Sequence, residues 1–330
     1  MADVQFANLS IRFGARELLD YGRLISGAFL KDTYIRKYGR SSYHFFDTQI
    51  GRLDESDPMT LAIWGRLVKE TTLERDQYFK NGELIEDPRS LESAPTSFFV
   101  LFVADHRLAF IPETRFAPTI GNLETTIRRF VKNEYDIWAK SEYEMLNAGE
   151  NRVTWKAFYK DFPAPEVALV PLTAKESIDA FVQRFARIES LTVHVVKRNQ
   201  DMDGGALFEA LVKKSEELDA SSSRFVVNGA KDEGLDIEKT GRFVSETTAG
   251  GYERVFLRGR DEDNHLLKGT NEDFKLTENI DVEALDDEET ARRAFAAYNA
   301  NKESGVIRVS ERDVDLVEPK LKSMMQADDD

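Results

Sequence analysis

Cysteine is absent from the 330-residue chain, which excludes a disulfide scaffold, a thiolate nucleophile and thiolate-ligated zinc or iron–sulfur centres. Histidine is scarce: His44, His106, His194 and His265 stand in separate segments, and no HExxH pair occurs. No GxxxxGK(S/T) loop and no GxSxG elbow exist. The only glycine pairs, Gly204-Gly205 and Gly250-Gly251, lack the spaced third glycine of a dinucleotide site. No cofactor is therefore expected. Long apolar runs are missing too. The most apolar stretch, Phe98 to Ala104, is strand-sized, well short of the roughly 18 residues that span a bilayer. The opening MADVQFANLSIRF carries Asp3 and alternates from Phe6 onward, unlike a basic-then-apolar secretory leader. No membrane association is expected, and a cytoplasmic location is.

What is present describes a globular chain, with 41% hydrophobic and 32% charged residues. At about 150 residues per domain its length points to two domains. Sixty acids against 45 bases leave a net charge of −15, so attraction to polyanions is not a global property and any nucleic-acid contact must be local.

The first half reads mainly as strands. Val4 to Phe13 alternates near period two, with a break at Phe6 to Leu9 that suggests a bulge, and Glu17 to Phe29 carries a helical stripe. Ser42 to Arg52 and Thr60 to Lys69 form an expected antiparallel pair, and Ser97 to Ala104 with Arg107 to Pro112 a hairpin turning at Asp105-His106. A helix with Asn122 as N-cap should close this domain. Phe162-Pro163-Ala164-Pro165 is the best boundary signal, giving a β-rich N-terminal domain with its closing helix over 1–160 and an alternating domain with an acidic end over 161–330.

In the second half, strands are expected at Glu166 to Leu172, Leu191 to Lys197 and Arg224 to Asn228. A helix capped by Thr173, with Glu176 completing a capping box, follows the first; another opens at Gly204-Gly205 and a third spans Ile237 to Thr247. Tyr252 to Arg258 and His265 to Gly269 suggest a hairpin, Thr290 to Ala300 a last helix, Val306 to Val309 a last strand, and Met324 to Asp330 a fraying end. The fold class is α+β. A ferredoxin-like β-α-β layer is favoured over a small partly parallel sheet in the C-terminal domain.

Charge is unevenly spread: bases outnumber acids over residues 1–52, and acids heavily outnumber bases over 261–330. Arg36, Lys37 and Arg40, interleaved with Tyr34, Tyr38 and Tyr43, make a candidate phosphate-contacting and stacking patch, with a solvated loop as the plainer reading. Lys197 and Arg198 at an expected strand end are further candidates. Asp261-Glu262-Asp263-Asn264-His265 is the densest set of possible metal ligands, and Asp261, Asp263 and His265 could hold magnesium or manganese for phosphodiester chemistry. The same residues suit a solvated turn. His194, between Val193 and Val195, suits a structural histidine, and Trp64, Trp138 and Trp155 suit core or interface positions. The acidic end could dock a basic partner or maintain solubility.

Three segments, IESLTVHVVKRNQD, GGALFEALVKKSEELDASS and GYERVFLRGRDEDNHLLKGTNEDF, together resemble the C-terminal half of a bacterial family of unknown function. SYHFFDTQIGRL, LAIWGRLVKET and SFFVLFVADHRLAFIP are similar in order to that family's strand set. The family occurs in mobile, defence-associated gene neighbourhoods and offers no established active-site residues. The resemblance implies an anti-phage, abortive-infection-type role, and together with the basic aromatic N-terminal segment and the missing catalytic signatures it leads to the expectation of a component that acts by binding a macromolecule. Its partner would be nucleic acid or the protein product of a neighbouring gene, with a homo-oligomer possible. A metal-dependent nuclease at the acidic turn and an acidic docking subunit are the alternatives.

Overall fold

A computed structural model describes residues 1–148, 152–195, 217–218, 223–309 and 312–325. Lys197, Arg198, most of the helix expected after Gly204-Gly205, and the last five residues of the expected fraying end lie outside these residues. The chain is α+β, and its strands among the described residues form a ten-stranded and a four-stranded sheet.

The hub of the larger sheet is β1 (Ala2–Phe13), which uses both edges. One edge pairs with β14 (Thr277–Ile280) and β9 (Glu166–Pro171); the other pairs with β8 (Arg107–Pro112) and the short β2 (Arg16–Glu17). From β8 the sheet continues through β7 (Thr96–Phe102), β5 (Leu61–Lys80), β4 (Ser41–Arg52) and β3 (Arg36–Tyr38), every pair antiparallel. Both β9 and β14 follow residue 160, so the large sheet is built from both halves of the sequence.

Both faces of this sheet are covered. Phe99, Leu101 and Val103 join the apolar layer under α1 (Gly22–Leu30), α2 (Ile120–Leu146) and α7 (Val314–Met325). Phe98, Val100 and Phe102 face the opposite layer, under α6 (Asp287–Glu303) with Ala291, Ala294 and Tyr298. Burying each such phenylalanine contributes about 1.5–3 kcal/mol. Two-sided burial also explains Phe6 to Leu9. The sequence suggests a bulge there, but β1 runs unbroken, because Phe6 and Leu9 serve opposite apolar layers and polar alternation has no role between them.

Local chemistry corrects several expected ends. Thr119, not Asn122, caps α2: the Asn122 N–H donates to the Thr119 hydroxyl at 3.3 Å and the Asn122 amide oxygen accepts from the Thr119 N–H at 2.9 Å. Thr173 does not cap α4 (Lys175–Val182); its hydroxyl pairs with that of Thr248 at 2.7 Å, and Ala174 stands at the cap. Val306 to Val309 is not a strand, since the Arg308 carbonyl accepts from the Arg107 side chain at 3.0 Å. Met324 belongs to α7 and packs so closely on Gly22 that a Cβ there would collide with its side chain.

The four-stranded sheet has the order β11 (Ser223–Asn228), β10 (Arg187–Val195), β12 (Glu253–Arg260), β13 (Leu266–Thr270). All of its pairs are antiparallel. Because β11 and β12 both pair antiparallel with β10, they run parallel to each other on either side of it and, joined by a helix, make a split β-α-β unit with helices on one face of the sheet. The helices are α4 and α5 (Ile237–Thr248), whose Ile178, Phe181, Val182 and Val244 cover Leu191, Val193, Val255 and Leu257.

Candidate functional site

Period two places alternate residues of this smaller sheet on the face away from α4 and α5. The register aligns them in rows. Arg224, His194 and Arg254 form one row; Val226, Thr192, Phe256 and Thr270 the next; Asn228, Ser190, Arg258 and Lys268 the third. Arg187 and Arg260 pair at the sheet's end. The row of β12 therefore reads Arg254, Phe256, Arg258, Arg260, while Val255 and Leu257 point into the core.

Apolar cover on this face is thin. Phe256, in the middle of the sheet, is 51% exposed, and Val226 is 48% exposed. A bulge between Ile188 and Ser190 turns Glu189 toward the cations. Its carboxylate accepts from Arg187 and Arg260 at 3.2 Å each and lies 3.6 Å from Arg258. The Arg260 and Arg187 hydrogen bonds hold Glu189 below the usual carboxylate range. Arg254 is committed elsewhere: it donates to Glu124 of α2 at 2.9 Å and to the Leu169 carbonyl at 3.3 Å, tying the small sheet to the large one. Arg224 and Lys268 have no carboxylate at ion-pair distance among the described residues, and Arg258 keeps 58% of its side chain exposed. His194 is held below the ordinary imidazole value by desolvation and then by the Arg224 and Arg254 charges. A flat cationic face with one central aromatic ring can hold phosphates at its rows of arginine and lysine and stack a planar ring on Phe256.

The sequence candidates are distributed otherwise. Arg36 is half-buried: its Nε–H donates to Thr126 at 3.0 Å, its guanidinium lies 4.2 Å from the Tyr43 ring centre, and burial lowers its pKa. Arg40 pairs with Glu74, and the surface beside it is lined by Glu70 and Glu92. Lys37 and Tyr38 remain exposed on β3. Tyr34 donates to Glu134 at 2.6 Å, as does Lys31 at 2.5 Å. Lys31 and Arg40 are thus met by carboxylates from the middle of the chain and Arg36 by packing, which leaves Lys37 and Tyr38 as the exposed part of the expected patch.

Asp261, Asp263 and His265 sit in the β12–β13 turn. The Asp261 carboxylate accepts the His265 N–H at 2.8 Å, and Asn264 adopts a positive φ of 61°, the geometry of a self-capped turn. Among the described residues no group of three or more His, Asp or Glu side chains is arranged to hold a metal ion. A second concavity, between α4 and α5, mixes Lys175, Arg242 and Arg308 with Glu176, Asp179 and Glu246 and favours neither sign of ligand. Among the described residues, acids toward the chain end are largely structural. Asp287 receives both Arg66 Nη groups at 2.5 and 2.7 Å, and Asp286 and Glu289 form the capping box of α6.

Sequence reasoning missed Arg224, Arg254, Phe256, Arg258, Arg260 and Lys268 because they are scattered over three strands. One signal points to them: the even-numbered positions 254 to 260 carry every cation and the aromatic ring of β12. No family model and no curated protein sequence matches the chain. Among the described residues no helix is long and apolar enough to cross a membrane.

Proposed function

We propose that the protein binds single-stranded nucleic acid on the open face of the four-stranded sheet. In this reading Arg224, Arg258 and Lys268 take backbone phosphates and Phe256 stacks beneath an unpaired base. The observation that carries it is the concentration of positive charge around one exposed aromatic ring, in a chain whose net charge is −15. A local positive field in an acidic protein attracts a polyanion only to that face and repels it elsewhere, which restricts orientation. A single strand is favoured over a duplex because an aromatic ring lying in a flat sheet needs an unstacked base. The resemblance to a defence-associated family supports placing this binding in phage defence, with the protein as a recognition component.

Fluorescence anisotropy with labelled single-stranded DNA and RNA at low salt tests the reading. Phe256→Ala should weaken binding by about 1–3 kcal/mol, the usual value of one stacked base. Replacing Arg224, Arg258 and Lys268 together by Gln should abolish it, and Lys37→Gln with Arg40→Gln should leave it nearly unchanged. An unmodified protein that binds neither strand type, or a loss that follows Lys37 and Arg40 instead, would remove the proposal.

A further inference from the structure

Among the described residues, Glu189 is the one carboxylate that the strands place on the open face of the four-stranded sheet, and it stands where that face ends. The bulge between Ile188 and Ser190 adds it to β10 as an extra residue, while Arg187 stays opposite Arg260. Three guanidinium groups converge on it: Arg187 and Arg260 donate at 3.2 Å each, and Arg258 lies at 3.6 Å.

The charges there do not balance. None of the three arginines has a second carboxylate at ion-pair distance among the described residues, so three positive charges meet one negative charge. Arg187 and Arg260 also donate to the carbonyls of Lys231 and Asn264, at 3.3 and 3.2 Å, which orients both guanidiniums without adding negative charge. Their side chains keep 34% and 35% of their surface exposed, so a ligand can reach them from solvent.

We propose that Arg187, Arg258 and Arg260 form a site for the terminal phosphate monoester of a nucleic-acid strand, with Glu189 holding the phosphate's place until the strand arrives. The site rests on the reading of the open face as a single-strand surface, and it adds which part of the strand lies at the face's end. A backbone phosphodiester carries one negative charge, as Glu189 does, so exchanging one for the other gains no Coulomb energy. A terminal monoester carries about −1.5 to −2 at pH 7 and offers three strong acceptor oxygens, enough to offset the excess charge and to give each guanidinium a partner. Position favours an end as well. A strand that follows β12 past Phe256 and Arg258 reaches Arg260 as the last cation of the row, and the chain then turns through Asp261, Glu262 and Asp263. A backbone continuing beyond Arg260 would meet those acids, whereas a strand that stops at Arg260 does not.

Anisotropy with one internally labelled single strand in three forms, carrying a 5′-phosphate, a 3′-phosphate or hydroxyls at both ends, tests the site at constant ionic strength. One of the phosphorylated forms should bind about tenfold tighter than the hydroxyl form. Arg187→Gln combined with Arg260→Gln should remove that advantage and leave the affinity of the hydroxyl form nearly unchanged. Glu189→Gln, which deletes the internal competitor, should tighten the favoured form further. Excess inorganic phosphate should erase the advantage without displacing the hydroxyl form, since it fills only the end site. Equal affinity for the three forms, an advantage that survives the double variant, or a Glu189→Gln variant that binds no tighter than the unmodified protein would overturn this site while leaving the open face as a single-strand surface. Failure to bind any of the three forms would instead remove the open-face reading, and this site with it.

Discussion

His106 and His194 are both held below the ordinary imidazole value, for different reasons and with different consequences. His106, at the β7–β8 turn with φ of 52°, is fully buried, and burial is the leading cause, followed by the charges of Arg312, Arg107 and Lys320. The unfolded chain accepts a proton there near pH 6.5 and the folded chain resists it. Stability should therefore fall as pH drops below about 6.5, by at most about 1.4 kcal/mol per pH unit from this group. Urea unfolding of the unmodified protein and of His106→Asn, which tolerates a positive φ, should show that slope reduced in the variant. His194 stands on the open face between two arginines, opposite in direction to its valine neighbours. A phosphate bound across that row would favour its protonation, so affinity for a single-stranded oligonucleotide should rise as pH falls toward the lowered value of His194, below the ordinary imidazole range, and His194→Gln should flatten the profile. Anisotropy titrations across that pH range check this. From sequence, His194 suits a structural histidine between Val193 and Val195; the alternation of the strand places it on the face opposite to both.

At the scale of elements, most strands and helices are legible because period-two and helical stripes survive wherever one face is buried. The β7–β8 hairpin, α5 and α6 lie where their sequences place them, within a few residues. The two-stranded arm that β5 beyond Thr71 forms with β6 (Glu83–Ser93) is the main omission. Thr71 to Ser93 is mostly exposed, so it has no apolar stripe to read, yet Asn81 and Gly82 have φ of 53° and 88°, the pattern of a two-residue hairpin turn that favours Asn-Gly. Gly82→Val should strain that turn by about 1–2 kcal/mol and open the arm locally. Amide exchange should accelerate over 71–93 while the thermal midpoint of the protein stays unchanged. A matching fall in the midpoint would make the arm part of the cooperative core. The capping residues are a subtler case: Thr119 and Asn122 both suit an N-cap, and reciprocal hydrogen bonding decides between them. Asp286→Ala, which deletes the matching box of α6, should cost about 1 kcal/mol in chemical unfolding.

Across the whole molecule, chain order and spatial order part company. The proline-rich stretch at 162–165 punctuates the sequence, yet β9 and β14 cross back to complete the sheet around β1. Buried Arg107 joins distant segments, donating to Asn8 and to the Gly250 and Arg308 carbonyls. Such long-range pairings leave no periodic trace. The charge map changes in the same way. Among the described residues most acids of the acidic end serve in helix caps and ion pairs, Lys31, Arg36 and Arg40 of the basic start are met by packing and mid-chain carboxylates, and the positive surface emerges from three strands that no single window of sequence displays together. The salt dependence of single-strand binding examines that surface most directly. For the unmodified protein, the logarithm of affinity should fall linearly with the logarithm of salt concentration. Replacing Arg224, Arg258 and Lys268 one at a time by Gln should lower the slope by about 0.7 for each phosphate that is no longer neutralised. A slope unaltered by all three replacements, with affinity intact, would contradict the account.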